Sequence, residues 1–157
     1  MRKAVWFAVF STLMTGCSTD TLVDRFKALP NYGWAHHDTT GFEFVVEDVE
    51  AYYNDYFQLR ITKDYPLSNI YIKAYFYKGD SFLFSNIRRY MLAEKSGKWK
   101  GSGLGSTVSY ELPLRENHEF QDTGLYRVEF QPYLRIDTLP AVSDVGYRIT
   151  KIQSQLK

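Results

Sequence analysis

The chain has 157 residues with 19 basic against 18 acidic side chains, a formal net charge of +1 and a single cysteine. So even a balance does not recommend the chain for nucleic acid or an anionic bilayer surface, and one cysteine excludes an internal disulfide framework. Aromatic residues make up 17% of the chain, with 13 Tyr and 11 Phe, a composition that favours strands.

The first element is a leader. Arg2 and Lys3 precede an apolar stretch from Ala4 to Met14, followed by the small residues Thr15 and Gly16. The stretch falls well short of the roughly 20 residues a membrane-spanning helix needs, and its three-part layout is that of a secretory signal. Leu13-Met14-Thr15-Gly16-Cys17 reads as a lipobox. On that reading the thiol of Cys17 receives a diacylglycerol, the signal is cut between Gly16 and Cys17, and the new amino terminus is acylated. A plain secretory signal with an incidental cysteine, or a cytosolic protein with an apolar first helix, are the competing readings. The Gly-Cys pair at the end of the apolar stretch favours the lipoprotein. Removing residues 1–16 from 157 leaves 141 and takes away two basic residues, so the mature chain has a formal charge of −1. Residues 17–21 then form a lipidated cysteine with a short tether, and 22–157 a single domain.

From there the apolar pattern has period two. Strands are predicted at 22–27, 41–47, 54–62, 68–77, 86–93, 107–114, 125–131 and 144–152. In 54–62, Phe57, Leu59 and Ile61 alternate with Gln58, Arg60 and Thr62; in 107–114, Val108, Tyr110, Leu112 and Leu114 form the apolar face. Tyr126, Val128 and Phe130, and then Val145, Tyr147 and Ile149, repeat the pattern. Gly- and Pro-containing turns separate the runs. About eight strands with no long helix to cross between parallel neighbours indicate an all-β fold, a single antiparallel β-sandwich.

Candidate binding residues are few. Ile70, Ile72, Ala74 and Phe76 form one face of 68–77, and Tyr71, Lys73, Tyr75 and Tyr77 the other. Tyr71, Tyr75 and Tyr77, with Trp99, are the candidate binding surface: either a platform for stacking a sugar ring or, more often for such residues, rings packed at a sandwich edge.

Catalysis has the least support. A committed thiol removes any Cys-His pair, and no G-x-S-x-G is present. His36 and His37, if extended, point to opposite faces and suit a shared metal poorly; with Asp38 they read as a polar turn. An enzyme would need His36, His37 or His118 to converge with a carboxylate. GSGLGS at 101–106 lacks the following helix that makes a glycine loop bind phosphate. Its glycines instead allow a bulge or the close approach of a backbone or a bulky side chain such as Trp99. Glu47, Asp48 and Glu50 lack the glycine-containing loop of a calcium site. No metal, cofactor, nucleic acid or small-molecule substrate is expected.

In the order FEFVV at 42–46, RITKDYPLSNIYI at 60–72, GKWKGSGLGS at 97–106 and GLYRVEFQPYLRIDTLPAVSDVGYRITK at 124–151, behind the lipobox cysteine, the chain resembles the gliding-motility lipoprotein GldH family over essentially its whole length. SNIRRYML at 85–92 departs from it, with Arg88 and Arg89 where similar proteins tend to be less basic. The resemblance implies a non-enzymatic envelope lipoprotein of the gliding machinery, tied to type IX secretion, with other envelope lipoproteins as partners. A lipid-anchored carbohydrate- or peptidoglycan-binding module is the alternative. Ser18, not Asp, follows the cysteine, which points to the outer membrane; STDT carries no charge cluster, which points to its periplasmic face. Ser18 to Thr21 span roughly 14 Å at full extension, so the domain is expected to sit close to its bilayer.

Overall fold

The computed structural model describes residues 20–103 and 105–152. The signal segment, Gly16 and Cys17 lie outside them. Ten strands follow in order: β1 (Thr21–Ala28), β2 (Gly33–Ala35), β3 (Thr40–Val46), β4 (Tyr52–Thr62), β5 (Asn69–Lys78), β6 (Ser81–Met91), β7 (Thr107–His118), β8 (Gly124–Pro132), β9 (Thr138–Pro140) and β10 (Val142–Ile152). A 3₁₀ turn at Pro30–Tyr32 lies between β1 and β2.

Two four-stranded antiparallel sheets, β1-β10-β4-β7 and β3-β8-β5-β6, pack face to face, and β2 and β9 form a small ribbon. The period-two pattern supplies the core: Phe57, Leu59, Ile61, Tyr147 and Ile149 of one sheet meet Phe42, Phe44, Val128, Phe130 and Ile72 of the other. Rings interlock across the interface, with Phe57 4.9 Å from Phe130 and Phe44 5.6 Å from Tyr147 between centroids. Such tilted pairs add to the burial of apolar area that drives folding. Trp34 on the ribbon is fully buried and stacks 6.3 Å from Phe57.

All eight predicted strands form. The two extra strands, β2 and β9, are three residues each, too short for a period-two pattern to show. Residues 86–93 need correction: β6 begins at Ser81, immediately after the Gly79 turn (φ 55°), and ends at Met91. SFLF does not alternate because β6 is exposed on both faces along most of its length. Leu92 and Ala93 instead turn into the core.

Gln58, expected on the wet face, is buried. Its cross-strand neighbour on β10 is Gly146. A Cβ there would lie 2.8 Å from both Gln58 Oε1 and Phe26 Cδ1. The missing side chain leaves a slot through which Gln58 Nε2 donates to Asp24 Oδ1 at 3.0 Å and to Glu111 Oε2 at 3.3 Å.

Candidate functional site

The three tyrosines share one face, the outer side of β5. Each ring already carries a cation: Arg89 stands 5.7 Å over Tyr71, Lys73 4.7 Å over Tyr75 and Arg127 4.4 Å over Tyr77. Tyr75 also donates its hydroxyl to Gln131 Oε1 at 2.8 Å. A sugar would have to displace these cations to stack. Trp99 does not join the tyrosines. It is half-buried in the β6–β7 connection, pairs as a bridge with Ala93 and meets Tyr65 edge-on at 6.3 Å.

The glycine cluster folds back on β7 through the bridge Ser102↔Ser109. A Cβ at Gly101 would sit 2.5 Å from the Ser109 carbonyl oxygen, and one at Gly103 would collide with that of Thr107. Close backbone approach is thus what these glycines permit. Asp48 of the acidic run accepts hydrogen bonds from Lys151 Nζ at 2.6 Å and from the Glu50 amide at 3.0 Å. The Lys151 bond, first, holds its carboxyl below the usual range.

His36 and His37 lie in a turn after β2, so their rings meet edge to face, 4.9 Å apart, instead of pointing apart. Among the described residues no group of three metal-ligating side chains forms. His118 does converge on a carboxylate, with its Nε2 2.8 Å from Asp55 Oδ1. Arg115 Nε donates to the other oxygen, Oδ2, at 2.6 Å. Asp55 is completely buried, and the Arg115 guanidinium lies 4.2 Å over Phe76 and 5.3 Å from Phe120. The Tyr147 hydroxyl, also buried, lies beside the pair without a well-formed hydrogen bond. Burial above all, then the charge of Asp55, pushes its pKa well above that of free tyrosine. This cluster joins β4 to β7 where their register shifts on both sides of Asp55. With one carboxylate oxygen on a guanidinium and the other on the imidazole, Asp55 is fully engaged in tying strands together. Sequence reading missed the cluster, yet Asp55 stands in phase with the inward residues Phe57, Leu59 and Ile61.

The most unusual surface is β6. It pairs with β5 on one side, and among the described residues no strand pairs with its other edge. Phe82, Leu83, Phe84, Ile87 and Met91 are all exposed, five of the eleven large exposed apolar residues described. Long apolar edges are ordinarily blunted by charge, proline or cover. The neighbouring edge, β7, is blunted: it contains Pro113, and β6 caps its carbonyls, Tyr90 donating to Pro113 O at 2.8 Å and Arg88 to Leu114 O at 3.0 Å. Burial raises the Tyr90 pKa to about 12.

A family model of the GldH lipoprotein matches residues 21–149, the sandwich from the first residue of β1 into β10. The chain belongs to the GldH lipoprotein family. Relatives agree across nearly their full lengths. The gliding motility lipoprotein GldH homolog of Christiangramia forsetii is 26% identical, over 96% of this chain and 98% of that protein. The gliding motility lipoprotein GldH of Flavobacterium johnsoniae is 24% identical, over 87% of this chain and 89% of the relative. The family resemblance drawn from the sequence therefore holds, and the residues that the family model matches run through β6.

Proposed function

We propose that the protein is a non-enzymatic envelope lipoprotein, held by lipid on Cys17 at the periplasmic face of the outer membrane. There its sandwich serves as a structural or assembly component of the gliding-motility machinery, linked to type IX secretion. The observation that carries this reading is the GldH family match across residues 21–149, together with relatives named as gliding motility lipoproteins. Physical features support it. β1 begins at Thr21, four residues after Cys17, so the anchor and the domain are close. Acyl chains contribute about 0.8 kcal/mol per buried CH₂, and two or three chains together give lasting attachment. The domain presents an apolar strand edge of the kind proteins use for docking, while the histidine–carboxylate contact found among the described residues, His118 to Asp55, is engaged in the interior. The carbohydrate alternative has less support, because the tyrosine faces are occupied by cations and Trp99 sits elsewhere.

The test is a deletion strain complemented with wild type or Cys17→Ala and scored for spreading, secretion and membrane fractionation. Deletion should abolish spreading or secretion, and Cys17→Ala should release the protein from the outer-membrane fraction with loss of activity. Full activity of a Cys17→Ala protein that still fractionates with the outer membrane would refute the anchor.

A further inference from the structure

β6 combines three features: an unpaired backbone edge, exposed apolar residues on both faces, and unbalanced positive charge. Between Asn69 and Lys100, which spans β5, β6 and the following loop, seven Lys or Arg residues stand against two acidic ones, Asp80 and Glu94. The rest of the chain carries twelve basic against sixteen acidic residues. Arg88 donates to a backbone carbonyl, and Arg89 donates to the sulfur of Met91 and stands over the Tyr71 ring; neither forms an ion pair among the described residues. Register places Phe84 and Arg88 opposite the inward residues Phe76 and Ile72 of β5, and Ile87 and Arg89 opposite the outward residues Lys73 and Tyr71. The edge therefore carries, on each of its faces, a guanidinium with no carboxylate partner among the described residues. Beside its amino-terminal half lies a cavity of about 240 Å³ whose lining includes Phe76, Leu83, Phe84, Phe120 and Tyr126.

We propose that the free edge of β6 docks an extended segment of a partner protein, one that adds as a strand, sets carboxylates against Arg88 and Arg89, and places an apolar side chain in the cavity beside Phe84. This deepens the docking role proposed above and rests on it. Main-chain hydrogen bonds along the edge supply affinity, and side chains at alternate positions supply selectivity. The charge argues for an acidic partner over a second copy: β6 has no acidic residue, so two copies paired through it would bring four guanidinium groups together with no carboxylate between them. An anionic bilayer would meet the cations but leave the edge amides without hydrogen-bond partners.

The test uses the full-length lipoprotein in detergent and synthetic extended peptides of Ile and Thr that carry two adjacent Glu residues, one for each face of the added strand, against counterparts with two adjacent Lys. Amide hydrogen exchange across 81–91 should slow several-fold with the Glu peptide alone, and Arg89→Glu should weaken that binding about tenfold. Unchanged exchange at β6, or equal protection by the Lys peptide, overturns the proposal. So does protection that grows with protein concentration alone, which marks a second copy, or that needs phosphatidylglycerol vesicles, which marks the bilayer. In cells, a photo-crosslinker at Ile87 should capture an acidic extended segment, identified by mass spectrometry, that the same probe at the exposed Leu125 of β8 does not. Capture of the same segment from both positions, or of lipid or this chain only, counts against it. The Ile87→Lys/Arg89→Glu double variant, with native circular dichroism, should fail to restore spreading to a deletion strain. If it restores spreading fully the edge proposal fails while the motility role stands; if the deletion itself spreads and secretes normally, the motility role fails and the peptide assay still judges the edge.

Discussion

Asp55 on β4 and its cross-strand neighbour Arg115 on β7 form an ion pair inside the sandwich, with Arg115 Nε donating to Asp55 Oδ2 at 2.6 Å. Removing Arg115 leaves the buried Asp55 with His118 alone, and removing Asp55 leaves the Arg115 guanidinium beside the Phe76 and Phe120 rings without its carboxylate. Asp55→Ala and Arg115→Ala should each cost about 3–5 kcal/mol, and Asp55→Leu/Arg115→Met should cost clearly less than the two single losses together. Urea unfolding curves check this; strictly additive losses would show that the two groups do not act as a pair.

The buried tyrosines tie stability to alkaline pH. The folded-state pKa values of Tyr147 and Tyr90 are raised above the free value of 10.0, so each favours the fold fully below pH 10. That contribution is lost as pH rises from 10 through the folded values. Thermal unfolding should therefore fall steeply above pH 10, with tyrosinate absorbance appearing together with unfolding. Tyr147→Phe should shallow the fall and change stability at neutral pH by no more than about 1 kcal/mol, because the hydroxyl has no well-formed hydrogen bond to lose. Tyrosinate appearing in the native protein near pH 10 for all tyrosines alike would contradict the burial.

Gly101 lies against β7 so closely that a single methyl group meets the Ser109 carbonyl oxygen at 2.5 Å and Val108 Cγ1 at 2.7 Å. Gly101→Ala should destabilise by about 1–3 kcal/mol through backbone displacement. Loss of the native hydrogen-exchange protection of the Ser102 and Ser109 amides, which bond across this bridge, is the local readout. A wild-type melting curve for Gly101→Ala would mean the approach is not tight.

The tyrosine face offers a direct discrimination between docking and sugar binding. Tyr71→Ala/Tyr75→Ala/Tyr77→Ala should leave retention on isolated peptidoglycan sacculi at the wild-type level, since each ring already has a cation over it. Sacculus binding that is strong in the wild type and lost in the triple variant would transfer the function to this face.

Residues 125–131 and 144–152 are legible as strands because each buries one side only, and a half-buried strand writes its alternation into the sequence: Tyr126, Val128 and Phe130 in, Arg127 and Glu129 out. β6 was legible only in part, since a strand with water on both faces has no alternation to show. Asp55 stood at an inward position but its partners could not be read, because Arg115 and His118 come from another strand and reach it only after two register shifts. Cys17 and Gly16 lie outside the described residues, and the anchor rests on the lipobox pattern together with membership of a lipoprotein family.

The amino-acid sequence by itself determined the sheet content, the inward face of most strands and the family, because these depend on local alternation and on residues in linear order. Only the tertiary structure decided which strands became edges and what covered them. Pro113 and the side chains of Tyr90 and Arg88 close the rim of β7, whereas no strand among the described residues pairs with the outer edge of β6, a difference set by which strands become neighbours when the two sheets stack.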